Sequence, residues 1–279
     1  MHLIPQITRY QYQYLYLQSV CLFLCLLYLL YGGNVMINLI QTEFSKLKRQ
    51  KTIFTIMGVL LLFWVGMTFW NYHVPQKSFE DFYMKYGSYI AMLLPFLLGL
   101  LFIKIYHAEY QNDTLKELLQ IPISMSQLFY AKILFLFLTA VIIMLLNCLL
   151  IIISAVICKV TDISAYQTLM LIRFFLTIAL SMPFAMFPVF LITALTSGNT
   201  IFSSTVCFIY SLAGTIGVSH LAGTHPISSM LNILFGSQLS LITSDGEKLM
   251  YIADIVLFVF ITVFCVEVFY RIKRGDKYK

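Results

Sequence analysis

The sequence predicts an all-α membrane protein, a polytopic bundle of six transmembrane helices. Of its 279 residues, 60% are hydrophobic and 11% are charged, whereas soluble domains carry about 25% charged residues. Six segments each hold the roughly 20 predominantly apolar residues that a spanning helix needs. The lysines and arginines cluster beside these segments and form no single basic and aromatic face, so the pattern favours a membrane protein and indicates no nucleic-acid partner.

The predicted spans cover approximately residues 53–72, 87–106, 132–158, 168–195, 200–221 and 250–270. The third and fourth are longer than a perpendicular crossing requires, so we expect tilt, kinks or extension beyond the hydrocarbon. Pro95 in the second span, and Pro183 and Pro188 in the fourth, are expected to kink their helices because proline removes a backbone hydrogen bond.

The distribution of cations predicts the orientation. If the KLKRQK stretch at residues 46–51 is cytoplasmic, twelve lysines and arginines fall on that side of the membrane and five on the other. The positive-inside rule then places both ends of the six-helix body in the cytoplasm.

Residues 1–35 form an N-terminal extension with two alternative interpretations. Residues 14–31 are apolar enough for a seventh span, although 18 residues is a marginal length. Met36 opens MINLIQTEFSKLKRQK, which is typical of a protein start, so the extension is alternatively a mis-assigned start. Residues 36–279 are interpreted as one transmembrane domain.

The connection between the second and third spans has a legible local chemistry. Thr114 and Glu117 form the T-x-x-E pattern of a capping box, in which each side chain binds a free backbone N–H at a helix start. A short helix is predicted through about Gln120, and Pro122 ends it because the residue before a proline disfavours helical geometry.

A second capping pattern follows at Ser124 and Gln127, and it predicts the start of a helix that runs past Lys132 into the membrane. The result is a short amphipathic helix held at the cytoplasmic surface between two spans. Such an element is suited to docking on a soluble partner; the alternative is an interfacial linker stabilised by its caps.

Residues 222–249 are too apolar for an ordinary exposed loop and too interrupted for a span. Gly223, Pro226 and Gly236 would break a helix here, which favours a re-entrant or interfacial hairpin on the outer side before the last span. The alternative is a simple external loop packed on the bundle.

Few ionisable residues lie within the predicted spans. Arg173, Asp254 and Glu267 are near helix ends, where snorkelling to the interface explains them without a function. The five histidines are interpreted as isolated loop or interface residues, and neither they nor the six cysteines indicate a metal site. There is no G-x-x-x-x-G-K-[ST] loop and no catalytic motif, so we predict neither ATP binding by this chain nor an enzyme.

The order of these features resembles the membrane subunit of a bacterial ABC-2 type ATP-binding-cassette transporter. The resemblance covers about residues 36–279 and rests on the basic EFSKLKRQK segment, the six spans and the pattern E-x-x-x-x-T-x-K-x-L-x-x-x-P-x-S before the third span. That pattern is formed by Glu109, Thr114, Lys116, Leu118, Pro122 and Ser124. Within the family, the start and the compact body look most like permeases for lantibiotic immunity and bacitracin resistance.

The resemblance implies a transport subunit in the bacterial cytoplasmic membrane. The six residues of the pattern before the third span, together with Glu117, would couple the permease to an ABC-type ATPase. The ATPase would hold the ATP and Mg²⁺, so that this chain itself binds no cofactor. The resemblance also implies pairing with a second permease, the same or a sister chain, and an amphipathic peptide as substrate. A helix around Glu43 and Phe44 is similar to one at the family's ATPase interface, although a lipid-attracted anchor is an equal alternative.

A substrate path is predicted beside the two prolines of the fourth span, lined by Met182, Pro183, Met186, Phe187 and Pro188. Packing or lipid contact is the alternative role for such residues. Two other functions also stay open: an ABC-2 permease for another cargo, such as a secreted peptide or a lipid, and a polytopic membrane protein that transports nothing.

Overall fold

The computed structural model describes residues 33–48, 52–74, 78–111, 125–160, 162–196, 199–235 and 245–275. These parts of the chain contain α-helices and no strand, which confirms the all-α prediction for them. The helices are α1 (Gly33–Lys48), α2 (Thr52–His73), α3 (Phe79–Gln111), α4 (Met125–Ile157), α5 (Ala165–Ala185), α6 (Phe187–Leu195), α7 (Thr200–Ile216), α8 (Pro226–Phe235) and α9 (Asp245–Gly275). Successive long helices alternate in direction, so α1 lies at the same end of the bundle as the start of α4, and we call this end the α1 end.

Five segments of the described chain are long and apolar enough to cross a membrane. They are Phe54–His73, Phe79–Ala108, Met125–Ile157, Ala165–Leu195 and Gly246–Arg271. The span expected at 200–221 corresponds to α7, which has 17 residues and a length of about 25 Å, against a hydrocarbon thickness of about 30 Å. The sixth span therefore stays a prediction.

The helix α3 begins at Phe79, before the predicted start of its span at 87. Ser78 caps it: the hydroxyl accepts a hydrogen bond from the Asp81 N–H at 3.1 Å and donates to Asp81 Oδ2 at 2.8 Å. Glu80 and Asp81 in the first turn also suit the positive end of the helix dipole. The hydropathy pattern placed the start of this span too late, because the first turns of α3 contain charged residues.

The fourth predicted span is divided at Met186, as the two prolines led us to expect. Met186 donates its N–H to the Pro183 carbonyl at 3.1 Å, and its own carbonyl accepts from Val189 and Phe190 as the next helix begins. Pro188 lies in the first turn of α6, where the backbone N–H groups make no intrahelical hydrogen bond, so the missing N–H of a proline costs nothing there. Helices α5 and α6 thus cross the bundle as two joined pieces.

The core is formed by α3, α4, α5 and α6, and the outer helices α2 and α9 expose most of their apolar surface. In the most apolar stretch of each outer helix, less than a third of the residues are buried, whereas more than two thirds are buried in the corresponding stretch of α5–α6. Exposed residues of α2 include Phe54, Leu62 and Phe69. Such faces fit a hydrocarbon surrounding.

Polar contacts fasten α2 to its neighbours. The Trp64 indole N–H donates to the Leu150 carbonyl at 2.8 Å and to the Ser154 hydroxyl at 2.6 Å. The Thr68 hydroxyl is 2.9 Å from the Ser154 hydroxyl and 3.0 Å from the Tyr86 hydroxyl. Since hydrocarbon offers no competing hydrogen bonds, these contacts hold α2 in one rotational setting against α3 and α4.

The short helix α8 is buried at the opposite end of the bundle from α1. The Ser228 hydroxyl donates to the Gly214 carbonyl at 2.8 Å, and the Asn232 amide donates to the Val218 carbonyl. Gly214 lies in the last turn of α7, where helical carbonyls lack intrahelical partners, and Val218 lies in the turn that follows. The predicted interruption at Gly223 and Pro226 is confirmed, whereas the re-entrant hairpin stays a prediction because residues 236–244 lie outside the described chain.

Asp254 of α9 has a structural partner that the sequence did not reveal. The Gly223 N–H donates to the Ser229 hydroxyl at 2.9 Å, and that hydroxyl donates to Asp254 Oδ2 at 2.6 Å. Gly223 has a φ of +85°, a conformation that glycine adopts without strain. This hydrogen bond to α8 gives Asp254 a partner within the bundle, whereas its snorkelling to the interface stays a prediction.

Candidate coupling site

The helix α1 packs one face across the start of α4. Leu39 and Glu43, one turn apart on this face, are buried, whereas Gln41 and Thr42 are exposed. The Phe44 ring meets the Phe135 ring edge-on, with centroids 4.8 Å apart. The predicted amphipathic helix around Glu43 and Phe44 is thus part of the structure, and it is attached to the bundle.

A buried ion pair lies in this contact. The Glu43 Oε1 atom is 3.0 Å from the Lys132 Nζ atom of α4 and 2.9 Å from the Lys46 Nζ atom of α1 itself. Glu43 is 4% exposed and Lys132 is 2% exposed. Removing one partner of a buried ion pair generally lowers the stability of the folded protein by several kcal/mol, because the other charge stays buried without compensation. The pair therefore fixes the position of α1 on α4.

The end of α3 is attached to the bundle at the same level. His107 is fully buried, and a nitrogen of its ring lies 3.2 Å from the Ser203 hydroxyl in the first turn of α7. Ser203 in turn lies 2.8 Å from the Thr196 hydroxyl after α6. The hydroxyl groups of Tyr106 and Tyr270 are also hydrogen-bonded, which joins α3 to the last part of α9. The interpretation of His107 as an isolated loop or interface histidine was wrong.

The predicted coupling segment runs between these two attachments. Glu109 lies in the last turns of α3, but its side chain is outside the described structure, as are Thr114, Lys116, Glu117, Leu118, Pro122 and Ser124 and the helix expected through Gln120. Their coupling role stays a prediction. The following helix, α4, is described from Met125 onward, and the capping role of Ser124 stays a prediction. Residues 112–124 therefore connect two helix ends that are both bound to the bundle.

The residues predicted to line a substrate path lie at the break between α5 and α6. Met182, Met186 and Phe187 are fully buried, Pro183 is buried and Pro188 is half-buried. The Met186 methyl group packs against the backbone of α3 at Gly99, where an added Cβ atom would lie 2.7 Å from it. A role in the path stays a prediction. A cavity of about 460 Å³ elsewhere in the bundle contains none of these five residues in its lining.

The pairing of Glu43 with Lys132 was missed by sequence reasoning. The two residues are 89 positions apart, and no local pattern connects them. A signal was nevertheless present: Lys132 is a cation in an otherwise apolar stretch, FYAKILFLF, and a charge in such a place requires a partner. The search for that partner would have included Glu43, the carboxylate of the amphipathic segment at the same end.

Comparison with known proteins identifies the family. No curated protein and no solved structure matches the sequence. A family model described as ABC-2 family transporter protein matches residues 39–214, more than half of the chain. The match includes Glu43, Lys132, His107 and Ser203, and the whole segment between α3 and α4. The chain therefore belongs to the ABC-2 transporter family: it is the multi-pass membrane permease of an ABC transporter, and an ABC ATPase is its partner.

Proposed function

We propose that this permease is part of an exporter that expels amphipathic peptide antibiotics, in the manner of lantibiotic immunity or bacitracin resistance. It resides in the bacterial cytoplasmic membrane, and ATP and Mg²⁺ are held by the partner ATPase. The resemblance of the MINLIQTEFSKLKRQK start and the compact body to such permeases supports this cargo. The attachment of both ends of residues 112–124 to the bundle supports the coupling mechanism.

In this mechanism the ATPase moves residues 112–124 when it closes on ATP. The movement reaches α3 and α4 directly. The contact between His107 and Ser203 transmits it to α7, and the contact between Glu43 and Lys132 transmits it to α1. Because these contacts are buried and directional, the helices shift as connected rigid bodies, and the bundle alternates between inward-facing and outward-facing arrangements.

Orientation and pairing complete the proposal. The excess of lysines and arginines on the side of residues 46–51 supports a cytoplasmic location for the α1 end and for the last residues of α9. The exposed apolar faces of α2 and α9 provide lateral surface for lipid and for a second permease subunit.

The coupling segment is tested by the double variant Thr114→Ala/Glu117→Ala. Loss of a capping box costs about 1 kcal/mol of local helix stability, so we expect a folded, membrane-inserted protein with impaired export and reduced stimulation of the ATPase. The matched control is Ser164→Ala/Gln167→Ala. It removes a capping box of the same chemistry at the start of α5, at the other end of the bundle.

The two double variants separate coupling from stability. A loss of export in the first variant and normal export in the second supports a coupling role. Unchanged export and ATPase stimulation in the first variant, or equal losses in both, would contradict it.

The cargo is tested by deleting the chain from its host and measuring the minimal inhibitory concentrations of bacitracin and of lantibiotics. We expect sensitivity to at least one of these peptides, and restoration by the full chain together with its ATPase. Unchanged sensitivity to all of them would contradict the peptide-antibiotic cargo but not the assignment as a permease, and it would favour a secreted peptide or a lipid as the cargo.

A further inference from the structure

The helix α7 turns one stripe of residues toward the bundle. The members of the stripe are spaced by three or four positions, which places them on one face of a helix, and they are Ser203, Cys207, Tyr210 and Gly214. Tyr210 is half-buried and the other three are buried. The opposite face exposes the apolar residues Ile201, Leu212 and Ile216. A movement of the bundle therefore reaches α7 chiefly through this stripe.

The first member of the stripe is attached at the α1 end. The Ser203 hydroxyl lies 3.2 Å from a ring nitrogen of His107 in α3 and 2.8 Å from the Thr196 hydroxyl after α6. His107 lies in the part of α3 that leads directly into the predicted coupling segment, residues 112–124. The start of α7 is thus hydrogen-bonded to the helix end that the coupling segment would move.

The middle of the stripe meets the break between α5 and α6. The Cys207 sulfur and the Met186 methyl group both lie against the backbone of α3 at Gly99, where a larger residue would have no room. One turn farther along α7, the Tyr210 hydroxyl donates to the Ala185 carbonyl at 2.7 Å. Tyr210 follows the first member of the stripe by seven residues, about 10 Å along the helix.

The Tyr210 hydroxyl replaces a backbone hydrogen bond that the break removes. In an uninterrupted helix the Val189 N–H would donate to the Ala185 carbonyl, but here it donates to the Met186 carbonyl at 3.0 Å. Hydrocarbon offers the freed carbonyl no donor, so its hydrogen bond comes from α7. The Tyr210 ring also packs on the His225 ring, with centroids 4.3 Å apart, which restricts the direction of the hydroxyl.

We propose that Tyr210 is a positioning residue that passes the movement of the coupling segment through α7 to the α5–α6 break. When the end of α3 shifts, Ser203 shifts with it and α7 moves as a rigid body. The Ala185 carbonyl then moves with the Tyr210 hydroxyl, and α6 changes its angle to α5 beside the residues predicted to line the substrate path. This role rests on the coupling mechanism proposed above and is independent of the cargo.

The test uses the full chain with its ATPase in nanodiscs and compares amide hydrogen exchange without nucleotide and with ATP, Mg²⁺ and orthovanadate. In the natural protein we expect trapping to change exchange at the α3–α7 contact around His107 and Ser203, and also at residues 186–190. Tyr210→Phe keeps the ring and removes the hydroxyl. It should retain the change at the α3–α7 contact and reduce the change at residues 186–190 about fivefold, the lower end of typical coupling between distant sites.

The matched control is Ser228→Ala. It also removes a hydroxyl that donates to a backbone carbonyl of another helix, since Ser228 Oγ donates to the Gly214 carbonyl at 2.8 Å. This contact lies beyond Tyr210 as seen from the α1 end, so it is not on the way to the break. Each variant should lower the melting temperature by about 2–4 °C, but the control should keep the full change at residues 186–190.

Equal reductions at residues 186–190 in Tyr210→Phe and Ser228→Ala would overturn the proposal, because the hydroxyl would then only stabilise the fold. An undiminished change there in Tyr210→Phe would show that the movement reaches the break by another route. If the natural protein responds at the α3–α7 contact but not at residues 186–190, this inference alone is refuted. No response at either place would refute the coupling mechanism as well.

Discussion

Replacing Lys132 with methionine tests the buried ion pair at the junction of α1 and α4. The variant keeps a long side chain but leaves Glu43, which is 4% exposed, without its closest partner on α4. Removing one member of a buried pair generally costs about 3–5 kcal/mol. Here Lys46 still lies 2.9 Å from the same carboxylate oxygen, so we expect a smaller cost, about 2 kcal/mol.

Hydrogen exchange of the α1 amides in nanodiscs measures this cost directly, because these amides exchange when α1 separates from the bundle. A loss of about 2 kcal/mol corresponds to roughly thirtyfold faster exchange. The control Lys46→Met removes a half-exposed partner within α1, for which we expect about 0.3–0.5 kcal/mol and an effect of about twofold.

The double variant Glu43→Met/Lys132→Met completes the cycle. Because it removes both buried charges and keeps apolar volume, its exchange should return to within about 1 kcal/mol of the natural protein. The reasoning is refuted if Lys132→Met and Lys46→Met accelerate exchange equally, or if the double variant is as labile as Lys132→Met alone.

Three further outcomes follow from the structure. Ser229→Ala removes the hydroxyl that donates to the Asp254 carboxylate and should lower the free energy of unfolding by about 1–3 kcal/mol. Thermal denaturation in detergent measures this loss. Asp254→Asn should be less damaging, because the asparagine carbonyl still accepts the hydrogen bond from Ser229. Burial lowers the pKa of His225, so the folded protein favours the neutral ring. The contribution of His225 to stability is therefore fully present above the unfolded pKa of about 6.5 and is lost as pH falls through the lower folded pKa. His225→Phe should flatten that dependence in melting curves between about pH 7.5 and 5. Gly99→Ala crowds the contact with Cys207 and should cost about 1–3 kcal/mol, part of which Cys207→Ala restores.

Each of these outcomes has a clear contrary result. Equal melting temperatures for Ser229→Ala and the natural protein would mean that the hydrogen bond to Asp254 adds no net stability. An unchanged pH dependence in His225→Phe would assign the acid sensitivity to other groups. Additive losses when Gly99→Ala and Cys207→Ala are combined would show that the two sites do not share one contact.

Local sequence signals predicted much of the helical framework. The apolar runs located five long apolar segments, and Pro183 and Pro188 bracketed the break at Met186. These features depend on a few neighbouring residues, so a single sequence reveals them. Hydropathy failed at the start of α3, where charged first turns extend the helix to Phe79. It also overestimated α7, which ends at Ile216 before the turns that lead to α8.

The contacts of the candidate site were far less accessible to sequence reasoning. Glu43 and Lys132 were each noticed for local reasons, but only the packing of α1 on α4 brings them within 3.0 Å. His107 looked isolated because its partner, Ser203, comes 96 residues later. Long-range polar pairs of this kind leave no periodic trace along the chain.

The attachment of α2 has a consequence for which changes the chain tolerates. Most of α2 faces outward with interchangeable aliphatic and aromatic groups, so Leu61 and Leu62 can drift among apolar residues at little cost. Trp64 and Thr68 have no such freedom, because their hydrogen bonds to α3 and α4 set the rotation of the whole helix. Among natural variants of this helix we therefore expect a narrow invariant stripe of polar contacts beside a broad surface that varies with the host membrane.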